Sequence, residues 1–379
     1  NMDVIQPSST FTFVNPFKFV SSKLYEILPF TRKGSIVLVR GKPAIDTGFG
    51  EAALTAVKFR ENIPPSSVEA GRYYLLASHG DPWAQRTLIA HSLAGLKNDV
   101  GLIYSDGVWP VIRSLPATAT RGWRFSRRSQ LRPQIFRNGT DEVQKAVRRG
   151  TVYMHQLYVA TNPEVTGRVT LPALWDSHTG RVVSNESTDI VRLLHQRLGS
   201  LGEGSVDLYP AELAAEVERL RPIVYGFNAG VYKCGLSVSA DGYRRGLMET
   251  FQALDACEAL LAGREFLAGD RLTEVDVCAF PTLIRFDVAY YTAFRCNRRR
   301  LRDYPNLTRY LERLYKIPAF RETVCFRTYL CVAFIETRWR GRLLGNLARV
   351  VDGACQVVCG ASVPGAPLWR RALAATLAL

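Results

Sequence analysis

Apolar and polar positions change their rhythm about halfway along the chain. Up to residue 65 no long periodic element stands out, and the Pro, Gly and aromatic punctuation predicts an extension wrapped over a domain. Arg72–Ala77 (RYYLLA) reads as a strand, and Pro82 to about Lys97 as a helix with Pro in its first turn, where a missing N–H costs nothing. Val100–Tyr104 is a second strand. Residues 107–138 are long, irregular and basic, and read as an insertion rather than as core. Thr140-Asp141-Glu142 suits a helix N-terminus. Val169–Trp175, a turn at Ser177–Gly180 and Arg181–Val183 make a hairpin, and a helix from Ser187 to about Leu198 closes this half. After a Gly-rich link at 199–205, apolar residues recur at three-to-four spacing over about 210–230, 240–262, 273–292 and 305–317, which predicts four helices. Thr273 and Asp276 form a capping box at the head of the third.

The order β-α-β-α-β-β-α is that of a thioredoxin-like domain, so the chain reads as an α+β protein: a mixed domain followed by an all-helical one. A length of 379 residues suits two domains with extensions. With 47% hydrophobic and 22% charged residues, a wholly disordered or fibrous chain is excluded. Charged residues, Gly or Pro interrupt every apolar run before the roughly 18 to 20 residues that span a bilayer. The net charge of +15 directs attention to anionic partners: nucleic acid, an anionic membrane surface or an acidic ligand. Cysteines occur only from Cys234 onward and histidines only up to His195, without a CxxC or finger spacing, so no metal site is expected and the thiols read as reduced and packed. The expected compartment is the cytoplasm. An organelle address is the alternative, because the first forty residues are rich in Ser, Thr, Phe and Lys and poor in acids.

Several short segments carry a family resemblance together: Gly71-Arg72-Tyr73-Tyr74, Pro82-Trp83-Ala84, Gly122-Trp123-Arg124-Phe125, Gly167-Arg168-Val169-Thr170, Asn185-Glu186-Ser187, Asn228-Ala229-Gly230-Val231-Tyr232-Lys233, and Arg285-Phe286-Asp287 with Asp303-Tyr304-Pro305-Asn306-Leu307. With them the chain, from about Lys58 to Val324, resembles the Xi class of the glutathione transferase superfamily, the glutathionyl-hydroquinone reductases. The resemblance implies the glutathione transferase fold, a homodimer, and glutathione as ligand or co-substrate alongside a small electrophile. It divides the chain into an extension (1–65), a thioredoxin-like glutathione-binding domain (66–200) with the basic insertion 107–138, a helical domain (206–325) and an Arg-rich apolar tail (326–379). It also implies a cis Leu171–Pro172 bond, which exposes the Leu171 main chain to pair with the cysteinyl part of glutathione. At a strand-to-helix junction, free N–H groups and the Ser187 hydroxyl can take the γ-glutamyl carboxylate while Glu186 pairs its ammonium. Trp123 resembles a Trp that contacts glutathione, and Tyr232 a Tyr beside the quinone. The plain alternatives are an N-cap at Ser187 and aromatic core at Trp123 and Tyr232.

One departure bears on the chemistry. In the reductases a Cys precedes Pro-Trp-Ala, at a helix N-terminus that stabilises its thiolate; here that position is Asp81. A carboxylate forms no disulfide, so reductase activity is expected to be lost, with Asp81 serving as N-cap of its helix or altering the catalysis. As a standing negative charge it would disfavour a glutathione thiolate. Ser78 lies on the strand or its exit loop, and Cys234, two residues after Tyr232, reads as packed. Ala293 and Gln85 stand where the family has His, and the family's pocket-closing tail is not recognisable after Val324. The tail is expected to dock on the body, with a partner or an anionic membrane as alternatives. The arginines of 121–137 and Arg298-Arg299-Arg300 read as a solvated basic face rather than a nucleic-acid site. Two function classes remain: a Xi-like transferase that binds glutathione or a related thiol and acts on an electrophilic or quinone-type molecule, and a catalytically inactive module that binds a ligand or partner through its basic surface and tail.

Overall fold

The structure, a computed structural model, describes residues 36–45, 56–105, 111–112, 120–126, 133–204, 206–326 and 328–329. In chain order the first half contains β1 (Ile36–Val39), β2 (Lys42–Ile45), β3 (Tyr73–Ala77), α1 (Pro82–Leu93), β4 (Gly101–Tyr104), β5 (Val111–Ile112), β6 (Thr120–Arg121), β7 (Arg124–Ser126), α2 (Asp141–Arg148), β8 (Thr151–Tyr153), α3 (Met154–Thr161), β9 (Gly167–Arg168), β10 (Ala173–Asp176), β11 (Arg181–Ser184) and α4 (Ser187–Arg192). The helical half contains α5 (Ala214–Gly235), α6 (Ala240–Leu260), α7 (Glu274–Arg285), α8 (Pro305–Lys316) and α9 (Pro318–Arg321).

The central sheet runs β11-β10-β3-β4, with β3 and β4 parallel and β10 antiparallel to both of its neighbours. Side chains alternate across it, as the two-residue period of a strand requires. Leu75 and Leu174 enter a core shared with α1, α4 and the helical domain, while Leu76, Ala173 and Trp175 enter a second core on the other face. The halves are therefore joined by one continuous apolar interior. An ionic link adds to it: Arg192 donates to both oxygens of the buried Glu274 at 2.8 and 2.7 Å and to Glu218 at 2.7 Å. The capping box at the head of α7 forms, with Asp276 fully buried and accepting from Thr273 N at 2.8 Å, Thr273 Oγ1 at 3.0 Å, Leu267 N at 2.9 Å and Tyr310 Oη at 2.7 Å. Among the described residues no helix is long and apolar enough to cross a membrane.

The structure differs from the expectations in three places. The extension holds a hairpin, β1 with β2, and β1 pairs with β9; residues 56–61 then run along β9 and β11, with Val57 N donating to Arg168 O at 3.0 Å and Glu61 N to Val183 O at 2.9 Å. Residues 107–138 are not all insertion. Phe125, Ile135 and Phe136 are buried, Trp175 Nε1 donates to Ile135 O at 3.1 Å, and the Phe136 and Trp175 rings lie 5.7 Å apart. The arginines around these residues masked a short apolar contribution to the second core. Where one helix is expected between the second strand and the hairpin there are two: the first starts after Thr140 and Gly150 at φ +74° ends it, and the β-favouring Thr151-Val152-Tyr153 pairs with β7 before the second. Phe326 and Tyr329, the described residues of the tail, are buried in the first core; the tail beyond them, like Arg127, Arg128 and Arg132, lies outside the described residues. The Arg298–Arg300 run lies against rings, its guanidinium groups over Phe251, Tyr304 and Tyr291 at 5.9, 4.6 and 4.6 Å.

Candidate functional site

Three chain junctions carry the residues of interest: the loop from β3 into α1, the approach to β10, and the turn from β11 into α4. At the first, Asp81 is the N-cap of α1. Its Oδ1 accepts the N–H groups of Trp83 at 2.7 Å and Ala84 at 2.9 Å, satisfying two of the donors that a helix start leaves free. Ser78, just past β3, accepts from Gly80 N at 3.3 Å, and His79 stacks on Tyr104 at 4.2 Å, so Ser78, His79 and Asp81 form no triad. Burial pushes the Asp81 carboxyl up to about 6, against the two N–H donors and the positive charges of Arg285 and Arg86.

At the second junction the Leu171–Pro172 bond is cis and Leu171 is buried, in the same core as Trp123. At the third, Asn185 holds the turn: its Oδ1 accepts from Phe59 N at 2.8 Å, and its Nδ2 donates to Val57 O at 2.6 Å and Tyr158 Oη at 2.7 Å. Glu186 is half-buried, and its side chain caps nothing on α4. Ser187 is buried. Tyr232 belongs to an aromatic group of the helical domain, its hydroxyl 3.4 Å from that of Tyr290 and its ring 5.2 Å from Phe294. Cys234 is buried beneath it, with Sγ directed at Arg295 O at 4.0 Å.

Two buried arginines have no site role in the sequence reading, where Arg285 stands only within a family segment. Arg86 stacks on Trp83 at 4.0 Å and donates to Ser187 Oγ at 3.4 Å, tying α1 to α4, while its buried Nε has no partner among the described residues. Arg285 enters from α7, donates to Gln85 Oε1, to Pro281 O at 2.8 Å and to His79 O at 3.3 Å, and lies 3.5 Å from the Tyr329 ring. Gln85 also donates to Thr323 Oγ1 at 2.9 Å. No carboxylate lies within ion-pair distance of either guanidinium among the described residues, so the site carries buried positive charge that neither Asp81 nor Glu186 pairs directly. The signal for Arg86 was its place in PWAQRTLIAHSL, a helix with no continuous polar stripe that is buried nearly all round.

A pH dependence follows from Asp81. Its folded-state value of about 6 lies above its ordinary value of 3.8, so folding holds the proton; the stabilisation is complete below about pH 4 and is lost as the pH rises through about 6. Asp81→Asn keeps an oxygen for the cap and removes this titration. Urea unfolding is expected to show wild type losing about 1–2 kcal/mol relative to the variant between pH 4 and pH 7; parallel pH profiles would refute it.

A thioredoxin-like sheet with a cis-proline, joined through one core to a helical domain, is the architecture of the glutathione transferases. The glutathione S-transferase N-terminal domain family matches residues 82–197 and the C-terminal domain family residues 240–313. The glutathionyl-hydroquinone reductase PcpF of Sphingobium chlorophenolicum is 38% identical over 247 residues, 65% of this chain and 72% of that protein. Among solved structures, a Xi class transferase from Natrialba magadii superimposes with a TM-score of 0.66 at 30% identity, covering 81% of this chain and 91% of that one. The glutathione-bound structure of YqjG from Escherichia coli gives 0.62 at 29% identity, covering 80% and 91%. The chain belongs to the glutathione transferase superfamily, with the Xi-class glutathionyl-hydroquinone reductases as its relatives.

Proposed function

We propose that this protein binds glutathione at the junction of α1, β10 and α4 and presents it to an electrophilic or quinone-type molecule, without the cysteine-dependent reduction. The observation that carries this reading is Arg86: a buried guanidinium, bonded to Ser187 Oγ at the head of α4, with its Nε unpartnered among the described residues. A buried cation calls for an anion, and the γ-glutamyl carboxylate supplies one. Glu186 beside it, with no cap to serve, is placed to receive the ammonium of the same γ-glutamyl group. Leu171 ahead of the cis-proline offers main-chain pairing to the cysteinyl residue, and Trp123 is buried in the same core as Leu171. At residue 81 a carboxylate stands where exchange requires a thiolate, and it can form no mixed disulfide. The competing reading, a binding module without chemistry, draws support from the use of Asp81 Oδ1 as a cap.

Calorimetric titration with reduced glutathione tests the reading. Wild type is expected to bind saturably, and Glu186→Ala at least about tenfold more weakly, through loss of a charge-assisted contact. Absence of binding to wild type at millimolar glutathione removes the reading.

A further inference from the structure

Asp81 uses its two oxygens unevenly. Both amide donors of the cap go to Oδ1, and Oδ2 accepts no hydrogen bond among the described residues. The charges that reach the carboxyl are Arg86 from its own helix and Arg285 from α7. His79, in the loop before α1, is held neutral by burial and by Arg285, and Gln85 is uncharged and tied to Arg285 and Thr323. Tyr329, against Arg285, keeps its phenol proton because burial raises its affinity for it. An acid with one oxygen fixed, the other open and two cations nearby is equipped to move a proton.

We infer that Asp81 is the general base of a glutathione addition reaction, its Oδ2 taking the thiol proton as the sulfur attacks an activated carbon–carbon double bond. The inference rests on the glutathione binding proposed above. The S–H bond breaks and a C–S bond forms at the β-carbon; the π pair moves onto the conjugated carbonyl as an enolate, and the carboxyl returns its proton there. Nothing is oxidised and no further reactant is consumed. A carboxylate that stayed charged would repel the developing thiolate, whereas one that accepts the proton is neutral when sulfur carries the charge. Arg285 remains to stabilise that charge, Arg86 being taken by the γ-glutamyl carboxylate. Burial brings the carboxyl closer to a thiol in proton affinity than an exposed Asp would be, which favours transfer.

The test is steady-state addition of glutathione to benzylideneacetone and, as a quinone, to menadione under argon, with wild type and Asp81→Asn, and calorimetric glutathione affinities for both. Wild-type kcat/KM is expected to rise with pH to a plateau above about pH 6. In Asp81→Asn it is expected to fall by about 10²–10⁴-fold and to lose that limb, with glutathione affinity unchanged within about threefold. If wild type binds glutathione but adds it to neither electrophile faster than the uncatalysed reaction, or if Asp81→Asn keeps the rate, the general-base role is overturned and the binding reading stands. If wild type binds no glutathione, both fall.

Discussion

Asp81→Cys is expected to give the protein a glutathionyl-hydroquinone reductase activity about 10³-fold or more above that of wild type, measured as glutathione-dependent reduction of a glutathionyl-hydroquinone. The reason is the setting in which residue 81 sits. The N–H groups of Trp83 and Ala84 that now donate to the carboxylate would point at a sulfur in its place. The start of α1 and the cations of Arg86 and Arg285 favour its thiolate. Alkylation with iodoacetamide as a function of pH should place this thiol at least about 1–2 pH units below an ordinary cysteine. The substitution gives up a carboxylate cap, at a cost of about 1 kcal/mol. A reactive thiol with no reduction would direct attention to Gln85 and Ala293, where the resemblance implies histidines.

The largest effect on stability is expected from Asp276→Ala, at about 3–5 kcal/mol by urea unfolding. Its carboxylate is fully buried and terminates four donors from three places: Thr273 twice, Leu267 and Tyr310. Truncation leaves all of them without an acceptor inside the helical core, whereas loss of a surface cap leaves water to replace it. Asp276→Asn keeps one carbonyl oxygen and should fall between wild type and Ala. An Ala variant within about 1 kcal/mol of wild type would mean that water enters the site.

The helical domain was legible because each of its helices has a local signal: an apolar stripe, the Thr273 box, or the proline that starts α8. The sheet and the turn into α4 were legible for the same reason. What escaped depended on contacts distant in sequence. Phe125, Ile135 and Phe136 share a core with Trp175, some forty to fifty residues on, and nothing nearby in sequence distinguishes them from a basic loop. The motif segments were easier to find than to interpret. Arg72 serves a bidentate pair with Asp176, at 3.0 and 2.7 Å, and Asp287 accepts the N–H groups of Leu301 and Arg302. Asn185 is the hub of a turn. These residues hold the architecture, and a sequence signature does not separate that duty from ligand contact. At the site, Asp81 as N-cap was readable from its place before Pro82, whereas Arg86 acquires meaning only when α4 brings Ser187 to it.

The segment at 56–61 has a consequence for solution behaviour. β11 is the last strand of the central sheet, and a terminal strand with bare N–H and C=O groups is a template on which a second molecule can add a strand of its own. The bridge from Arg60 to Ser184 and the bond from Glu61 N to Val183 O occupy that template from within the chain. Resistance to self-association therefore rests in part on residues that precede the thioredoxin-like sheet and contribute no strand to it. Trimming the protein back to β3 would open a sticky border and also strip Asn185 of its Val57 and Phe59 partners at the turn that carries Glu186 and Ser187.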